Sequence, residues 1–415
     1  MIRPVCEGDG VRILHTSDWH LGHTLKDVTR EHEHAAFLAW LVETCVREAP
    51  DAVVITGDVF DSGTPPASAE RMWFEWLAAV RRARPAMDVV VIAGNHDSPA
   101  RLGAASAVLR ELGVHVVGGL PRGAGGELDA GRVLIPIAGG AGLVAAVPFL
   151  RPVDVGSDAE DPLVAVYGEV MAAARARRRA DQALVVLGHL YVQGAAVSSL
   201  SERRVSIGGV EAASARLFPE DIDYVALGHM HRAQRVGRDN VRYAGAPIPL
   251  ALDEASYAHQ VVIVDFVGGR VTEIRAARVP KLVDVMQIVG ELESVLATIA
   301  ALPAIGDLAD PTRPYLEVIV RLARPEPRLR TLIETALDGR RPRLVRLAVE
   351  STGHGAALAE VAAAGRRLAE LDPRDVFAAC WAKNHAEAPS AAVVGAFDRL
   401  LAQVRGDLTD PGEAS

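Results

Sequence analysis

From Val11 to about Phe266, short apolar β-branched runs alternate with longer stretches of helical period. VRILHT, EHEHAAFLAWLVETCVREA, DAVVITG, ASAERMWFEWLAAVRRA and DVVVIAG follow one another in that order. Near-continuous Val and Ile mark strands buried on both faces, whereas apolar residues three and four apart mark one face of a helix, so the alternation predicts α/β layering. Each apolar run stops at a small or polar loop: SDWHLG, GDVFD or GNHD. Such loops at strand ends are where open α/β sheets gather their ligands.

The Gly- and Ala-rich stretch from Gly118 to Gly142, with GGAGLVAAVPF following, predicts turns and edge strands with little helix. A helix is expected over Pro162 to Ala180. Its Arg175, Arg177, Arg178 and Arg179 read as a solvated basic helix end in preference to a phosphate-contacting patch. DQALVVLGHL, DIDYVALGHMH, VRYAGAP and QVVIVDF predict four more strands, which should complete a second sheet. Beyond Val279 the character changes. Lys281 to Ala301 reads as a strand then a helix, and YLEVIVRLA, PRLRTLIETALDG and RLVRLAVE form a compact β-α-β unit bounded by Pro311, Pro314 and Gly353. The last stretch is helical, with Asp372-Pro373 as cap and start. Its apolar face, with Val376, Phe377, Val394, Phe397, Leu400 and Leu401, suits internal packing and partner docking equally. The expected division is residues 11–278, 279–353 and 354–405.

A chain of 415 residues exceeds the roughly 250 to 300 at which single cores stop growing, so more than one domain is expected. The apolar runs break before the ~20 residues needed to span a bilayer, and the N-terminus carries no stretch that reads as a signal peptide. A cytoplasmic protein without a membrane role is the expectation. Cys6, Cys45 and Cys380 are too scattered for a zinc knuckle or a disulfide framework and read as thiols without a role. The net charge of −9 argues against a protein that grips nucleic acid by itself. Carboxylates gathered around bound cations would lower the formal charge without repelling an anionic substrate.

The chemistry lies in five segments: Asp18-x-His20, Gly57-Asp58, Gly94-Asn95-His96-Asp97, Gly188-His189 and Gly228-His229-x-His231. A lone Gly-His pair is usually chance, and a lone buried histidine is usually a hydrogen-bonded core residue. All five together, each ending an apolar strand, point to a dinuclear metal centre. Carboxylate, imidazole and amide donors suit borderline-hard divalent ions such as manganese, whereas thiolates would indicate zinc. Asp18, His20 and His231 can grip one ion; Asn95, His189 and His229 can hold the second. Asp58 can bridge with one oxygen per metal, holding two cations roughly 3.5 to 4 Å apart. His96, next to Asn95, is expected to face the substrate, donating to a phosphate oxygen or protonating the leaving oxygen, with Asp61 or Asp97 orienting it. For Asp97, ahead of Ser98-Pro99, capping of the following helix is the favoured alternative. His15, His23, His32, His34, His115, His259, His354 and His385 read as surface or core residues.

The set D-x-H, G-D, G-N-H-D, G-H and G-H-x-H resembles the calcineurin-like metallophosphoesterase superfamily. Within it, RILHTSDWHLGH, TGDVFDSGTPP, AGNHDSPARL, YVALGHMHRAQ and YAGAPIPLALDE are similar to the SbcD nuclease subfamily over roughly Val11 to Phe266. The resemblance implies two β-sheets packed as a sandwich and flanked by helices, followed by a small β-α-β capping domain and C-terminal helices. It implies manganese-dependent DNA cleavage in repair, replication and recombination: 3′ to 5′ exonuclease action on duplex ends and endonuclease action on single strands and hairpins. It also implies a heterotetramer with the coiled-coil ATPase SbcC, which the C-terminal helices would bind, and a nuclease homodimer packed through PPASAERMWFEWLAAV and SPARLGAASAVLREL. A nucleoid-associated location would follow. Metal positions Asp18, His20, Asp58, Asn95, His189, His229 and His231 match the family pattern, as does the substrate-facing His96. Another enzyme of the superfamily, a nucleotidase, cyclic-nucleotide phosphodiesterase or protein phosphatase, is the rival, and DVFDSGTPP with the C-terminal extension argues against it. A scaffold without catalysis should have lost ligands, and every expected one is kept.

Overall fold

The computed structural model describes residues 10–155, 161–196, 212–214, 217–307, 310–352, 372–384 and 387–405. Apart from a pair of two-residue strands, Thr24–Leu25 and Val28–Thr29, the strands in chain order are β1 (Gly10–Thr16), β2 (Ala52–Thr56), β3 (Asp88–Ile92), β4 (Val114–Val117), β5 (Leu134–Ile137), β6 (Gly142–Ala146), β7 (Ala183–His189) and β8 (Tyr224–Gly228). They continue with β9 (Gln234–Val236), β10 (Arg238–Tyr243), β11 (Gln260–Val267), β12 (Arg270–Arg278), β13 (Val285–Glu291), β14 (Tyr315–Leu322) and β15 (Arg343–Ser351). The longer helices are α1 (Glu31–Glu48), α2 (Ala67–Ala83), α3 (Pro162–Arg177), α4 (Leu292–Ala300), α5 (Leu329–Leu337), α6 (Pro373–Asn384) and α7 (Ala391–Arg405).

Two six-stranded sheets form the frame. One runs β12-β11-β1-β2-β3-β4 and the other β9-β10-β8-β7-β6-β5. In the first, β1, β2, β3 and β4 are parallel; in the second, β6, β7, β8 and β10 are parallel. The period of two along each strand sorts the side chains between layers. Ala52 and Val54 of β2 join Val90, Val144, Val185 and Ala226 in a core fed by both sheets. Their neighbours Val53 and Ile55 pack instead with Phe37 and Leu41 of α1 and Trp73, Trp76 and Leu77 of α2. On the far side, Leu184 and Val186 pack with Leu163, Val166, Tyr167 and Val170 of α3. The result is a sheet-on-sheet sandwich with helices outside it, the class expected from the alternating pattern.

Four expectations need correction. QVVIVDF does not complete the second sheet: as β11 it pairs antiparallel with β1 in the first, with Leu14 opposite Ile263. The partner is set by non-local pairing, which the strand's own sequence does not encode. β12 was not anticipated, because RVTEIRAAR is mostly polar; a Gly268-Gly269 turn, both residues at positive φ, folds it back onto β11. GLVAA is an interior strand, β6, between β5 and β7. The Arg cluster of α3 is not simply solvated, since Arg175 pairs with Asp221 at 2.7 Å and Arg178 with Asp223 at 2.5 Å.

The described residues that lie within 1–286, 303–317 and 339–346 form one compact unit, and those within 287–302, 318–338 and 347–415 form a second. In the second, α4 and α5 are amphipathic and bury Val295, Ile299, Ile333 and Leu337. Asp372 caps α6, accepting from the Arg374 amide at 2.9 Å. Phe377 and Phe397 stack at 4.3 Å between ring centres, so that part of the apolar face packs α6 on α7, while Val394 and Leu400 remain exposed. The helical expectation for 354–371, together with His354, His385 and Cys6, lies outside the described residues. Cys45 is a buried thiol and Cys380 an exposed one. Among the described residues no helix is long and apolar enough to cross a membrane.

Candidate metal centre

The five segments leave the C-terminal ends of β1, β2, β3, β7 and β8, and backbone bonds fix the first two against each other. The Asp18 amide donates to Gly57 O at 3.1 Å and the His20 amide to Asp58 O at 3.0 Å. To aim side chains inward, the chain adopts left-handed conformations at Asp18 (φ 53°), His20 (φ 48°), Asp58 (φ 49°) and His229 (φ 95°). Asp and His visit this region more readily than most residues, though each such turn costs on the order of 1–3 kcal/mol.

Two buried clusters of donors result. The ligand atoms of Asp18, His20 and His231 lie within 4.8 Å of one another, as do those of Asp58, His189 and His229. Asn95 belongs with the second: its Oδ1 is 2.9 Å from His189 Nε2 and 2.9 Å from His229 Nδ1. Asp58 stands between them, with Oδ2 3.5 Å from His20 Nε2 and 3.3 Å from His189 Nε2. Its other oxygen, Oδ1, accepts the His96 amide at 2.9 Å.

The donor chemistry fits divalent cations. His20 Nε2 is buried without a hydrogen-bond partner, while its Nδ1 is held by Asp61 Oδ1 at 3.0 Å. His189 donates from Nδ1 to Thr56 O at 2.8 Å, which turns Nε2 toward the oxygens of Asn95 and Asp58. Lone pairs meeting lone pairs in a buried space are satisfied by a proton or a metal ion. The electrostatics agree. Burial opposes charge on His189, but Asp58, with Asp18 behind it, pushes the imidazole up to about 9. Burial likewise opposes charge on Asp58, and His189 and His20 hold it well below the usual carboxylate range. His229, by burial and by the neighbouring His189, is lowered to about 3, and His20 is lowered chiefly by burial.

His96 is half-buried beside these clusters, its ring centre 4.8 Å from that of His20. Its Nδ1 is bound to the backbone carbonyl of Asp61 at 2.8 Å, so Asp61 orients it through the main chain. The Asp61 carboxylate serves His20 and His23 instead; burial works to raise its pKa, yet those two hydrogen bonds keep it below the usual range. Asp97 neither caps a helix nor touches the His96 ring. Ser98 is the N-cap of the short helix Pro99–Leu102, and the buried Asp97 carboxylate accepts from the amides of Gly94 (2.8 Å), Phe60 (3.0 Å) and Val59 (3.2 Å). It ties the GNHD loop to the GDVFD loop. Burial first, and then the charge of Asp58, raise it to about 6.

Three residues in contact with the clusters or their loops have no signal in the spacing pattern. Glu254 Oε1 lies 2.8 Å from His231 Nδ1; His23, read above as a packing residue, contacts Asp61 Oδ1 at 3.0 Å. Arg151 donates to Asp97 O at 2.8 Å and Gly94 O at 3.4 Å, gripping both ends of the loop that carries Asn95 and His96. By contrast His15 is a core residue bound to Tyr224 Oη and Thr56 Oγ1, each at 3.0 Å, and His34 is bound to Trp19 O at 2.9 Å.

Comparison with known proteins accords with this geometry. Residues 11–233 match the calcineurin-like phosphoesterase family, and residues 281–385 match the type 5 capsule protein repressor C-terminal domain family. The chain is 39% identical over 358 residues to the SbcD subunit of the SbcCD nuclease from Rhodobacter capsulatus, covering 82% of this chain and 87% of that one. It is 37% identical over 308 residues to the SbcD subunit from Escherichia coli K12, covering 69% and 73%. With the SbcD subunit from Bacillus subtilis the identity is 38% over 268 residues, covering 61% and 66%. The chain therefore belongs to the calcineurin-like phosphoesterases and, among them, to the SbcD nucleases of SbcCD complexes.

Proposed function

We propose that this nuclease hydrolyses DNA phosphodiester bonds with two manganese ions, one held by Asp18, His20 and His231 and the other by Asn95, His189 and His229, with Asp58 shared. The observation that carries the reading is the pair of buried donor clusters meeting at one Asp58 oxygen. When bound, the two cations supply Lewis-acid activation of water and a clamp on the attacking and leaving oxygens of an in-line displacement. The chain's own residues do the rest. His96, fixed through Nδ1 by the Asp61 carbonyl, turns its other ring nitrogen to the scissile phosphate, donating to a non-bridging oxygen or protonating the leaving oxygen. Asp97 and Arg151 keep that loop in register with Asp58.

The protein acts as a 3′ to 5′ exonuclease on duplex ends and as an endonuclease on single strands and hairpins, in repair, replication and recombination. Residues 11–278 serve as the nuclease domain, 279–353 as a capping domain, and 354–405 as the docking element for an SbcC-type coiled-coil ATPase. Two nuclease chains pair, giving a heterotetramer in the cytoplasm that is recruited to the nucleoid. The name shared by the relatives supports the complex, and the acidic charge of −9 accords with a nuclease that leaves most of the DNA grip to its partner. The test is strand cleavage by the purified chain with manganese, on end-labelled single-stranded and hairpin DNA beside a mononucleotide, with His96→Ala as control. Cleavage at internal linkages, lost in the control although metals are retained, is the expected result. Hydrolysis of the mononucleotide alone would replace the DNA substrate with a small phosphate ester.

A further inference from the structure

The two imidazoles of the first cluster, 5.2 Å apart between ring centres, are each backed by a carboxylate. His20 Nδ1 donates to Asp61 Oδ1 at 3.0 Å, and His231 Nδ1 to Glu254 Oε1 at 2.8 Å. Those carboxylates are themselves joined behind the site. His23 contacts the same Asp61 oxygen through Nδ1 at 3.0 Å and the Leu250 carbonyl through Nε2 at 2.9 Å, and the Leu250 amide donates to Glu254 Oε2 at 2.7 Å. His20, Asp61, His23, Leu250, Glu254 and His231 thus form one continuous run of hydrogen bonds. The run is anchored from outside: Arg30, fully buried, donates to the Pro249 carbonyl at 2.7 Å and to Glu33 Oε1 at 2.7 Å.

We propose that Glu254 and His23 are positioning residues for the ion held by Asp18, His20 and His231, and that the loop from Pro247 to Glu254 sets the affinity of that ion and not of the other. This rests on reading those three residues as an ion site. A carboxylate on Nδ1 fixes the tautomer that leaves Nε2 as an electron-pair donor, and it raises the basicity of the ring. Neither residue is placed to be a ligand itself. Both Glu254 oxygens are engaged by Leu250 and His231, and both His23 nitrogens face acceptors. On His189 and His229 the Nδ1 contact is not a carboxylate: His189 Nδ1 donates to Thr56 O and His229 Nδ1 contacts Asn95 Oδ1, while the Asp58 carboxylate meets His189 only at Nε2. The two ion sites therefore differ in how their histidines are held.

Manganese titration by calorimetry of the intact chain, in wild type, Glu254→Gln, His23→Ala and His231→Ala, tests this without using activity. An amide has one acceptor oxygen, so Glu254→Gln cannot serve both Leu250 and His231. It is expected to weaken one ion by about 10- to 100-fold and leave the second at wild-type affinity. His23→Ala, at a less buried position, should weaken the same ion by a smaller factor, and it decides the matter should Glu254→Gln fail to fold. His231→Ala should lose one ion outright. Two ions bound at wild-type affinity in both the Glu254 and His23 variants, with one lost in His231→Ala, would overturn the positioning role and keep the site. An equal weakening of both ions, with a lowered melting temperature, would reduce the network to general packing. Two ions retained in His231→Ala would overturn the reading of the site itself.

Discussion

Gly94→Ala is the sharpest probe of how closely the loops are fitted. A Cβ at this position would lie 2.1 Å from Asp58 Oδ1, 2.4 Å from the Asp58 amide nitrogen and 2.7 Å from Asp58 Cγ. Ordinary contact begins near ~3.5 Å, so either the GNHD loop or Asp58 must retreat by more than about 1 Å. Neither is free to do so alone. Asp58 Oδ1 holds the His96 amide, its Oδ2 faces both donor clusters, and the Gly94 amide is itself bound to Asp97. Overpacking of this kind destabilises by about 1–3 kcal/mol. The larger effect falls on rate, because a misplacement of about 1 Å among reacting groups costs roughly 100-fold. Gly168 in α3 provides the control: a Cβ there meets nothing within 4 Å, so Gly168→Ala should leave cleavage unchanged and add about 0.5–1 kcal/mol. The assay is single-turnover cleavage of hairpin DNA, with urea unfolding in parallel. Wild-type cleavage by Gly94→Ala would refute the claim that this contact sets the registry of Asp58 and His96.

Asp97→Ala leaves the amides of Gly94, Val59 and Phe60 without their acceptor; each stranded buried donor costs about 1–3 kcal/mol, and the lowered stability is measurable by urea unfolding. Arg151→Ala frees the carbonyls of Gly94 and Asp97, so cleavage should fall while manganese stoichiometry stays at the wild-type value; unchanged turnover would remove Arg151 from the loop clamp. In the metal-free chain His189 stays protonated up to about 9, so an ion must displace that proton: manganese affinity should rise by about tenfold per pH unit toward pH 9 and level off above it. The sign for folding is opposite. A histidine raised from 6.5 contributes its stability in full below pH 6.5 and loses it as pH rises through about 9, so metal-free protein should melt lower at alkaline pH.

Much of this was legible because it is local. The Val- and Ile-rich runs specify strands by composition, and the Gly-Asp, Gly-Asn and Gly-His words mark where each strand ends. The same glycines also explain the wording. Gly94 and Gly57 lie against Asp58 and His189, where an added side chain would displace one or the other. What escaped is non-local. β11 joins the first sheet by pairing with β1, some 250 residues earlier, and nothing within QVVIVDF selects that edge. Glu254 and His23 are invisible for the same reason: a carboxylate that holds a histidine needs no fixed spacing, only a fold that returns the chain to it. Asp97 was misjudged because Ser98 offers the better cap one residue later, which frees the carboxylate to bind three amides of the site's own loops.

The centre combines features that oppose folding: left-handed backbone at Asp18, His20, Asp58 and His229, and the desolvation of the charged Asp58 and His189. At about 1–3 kcal/mol for each strained residue, their sum approaches the whole stability of an ordinary domain. They persist because the strain is confined to the ends of strands whose interiors are among the best-packed parts of the molecule. Val53, Val54, Val89, Val90, Val185, Val186, Val225 and Ala226 are all fully or almost fully buried. The rigid frame therefore holds the donors together before any ion arrives. Binding then replaces the His189 proton with an ion at the same acceptors, so site occupancy and thermal stability should rise together in the same titration. Ions that bind only the folded chain must raise its melting temperature by mass action, so catalysis gained on adding manganese with no gain in melting temperature would refute a donor set assembled by the fold.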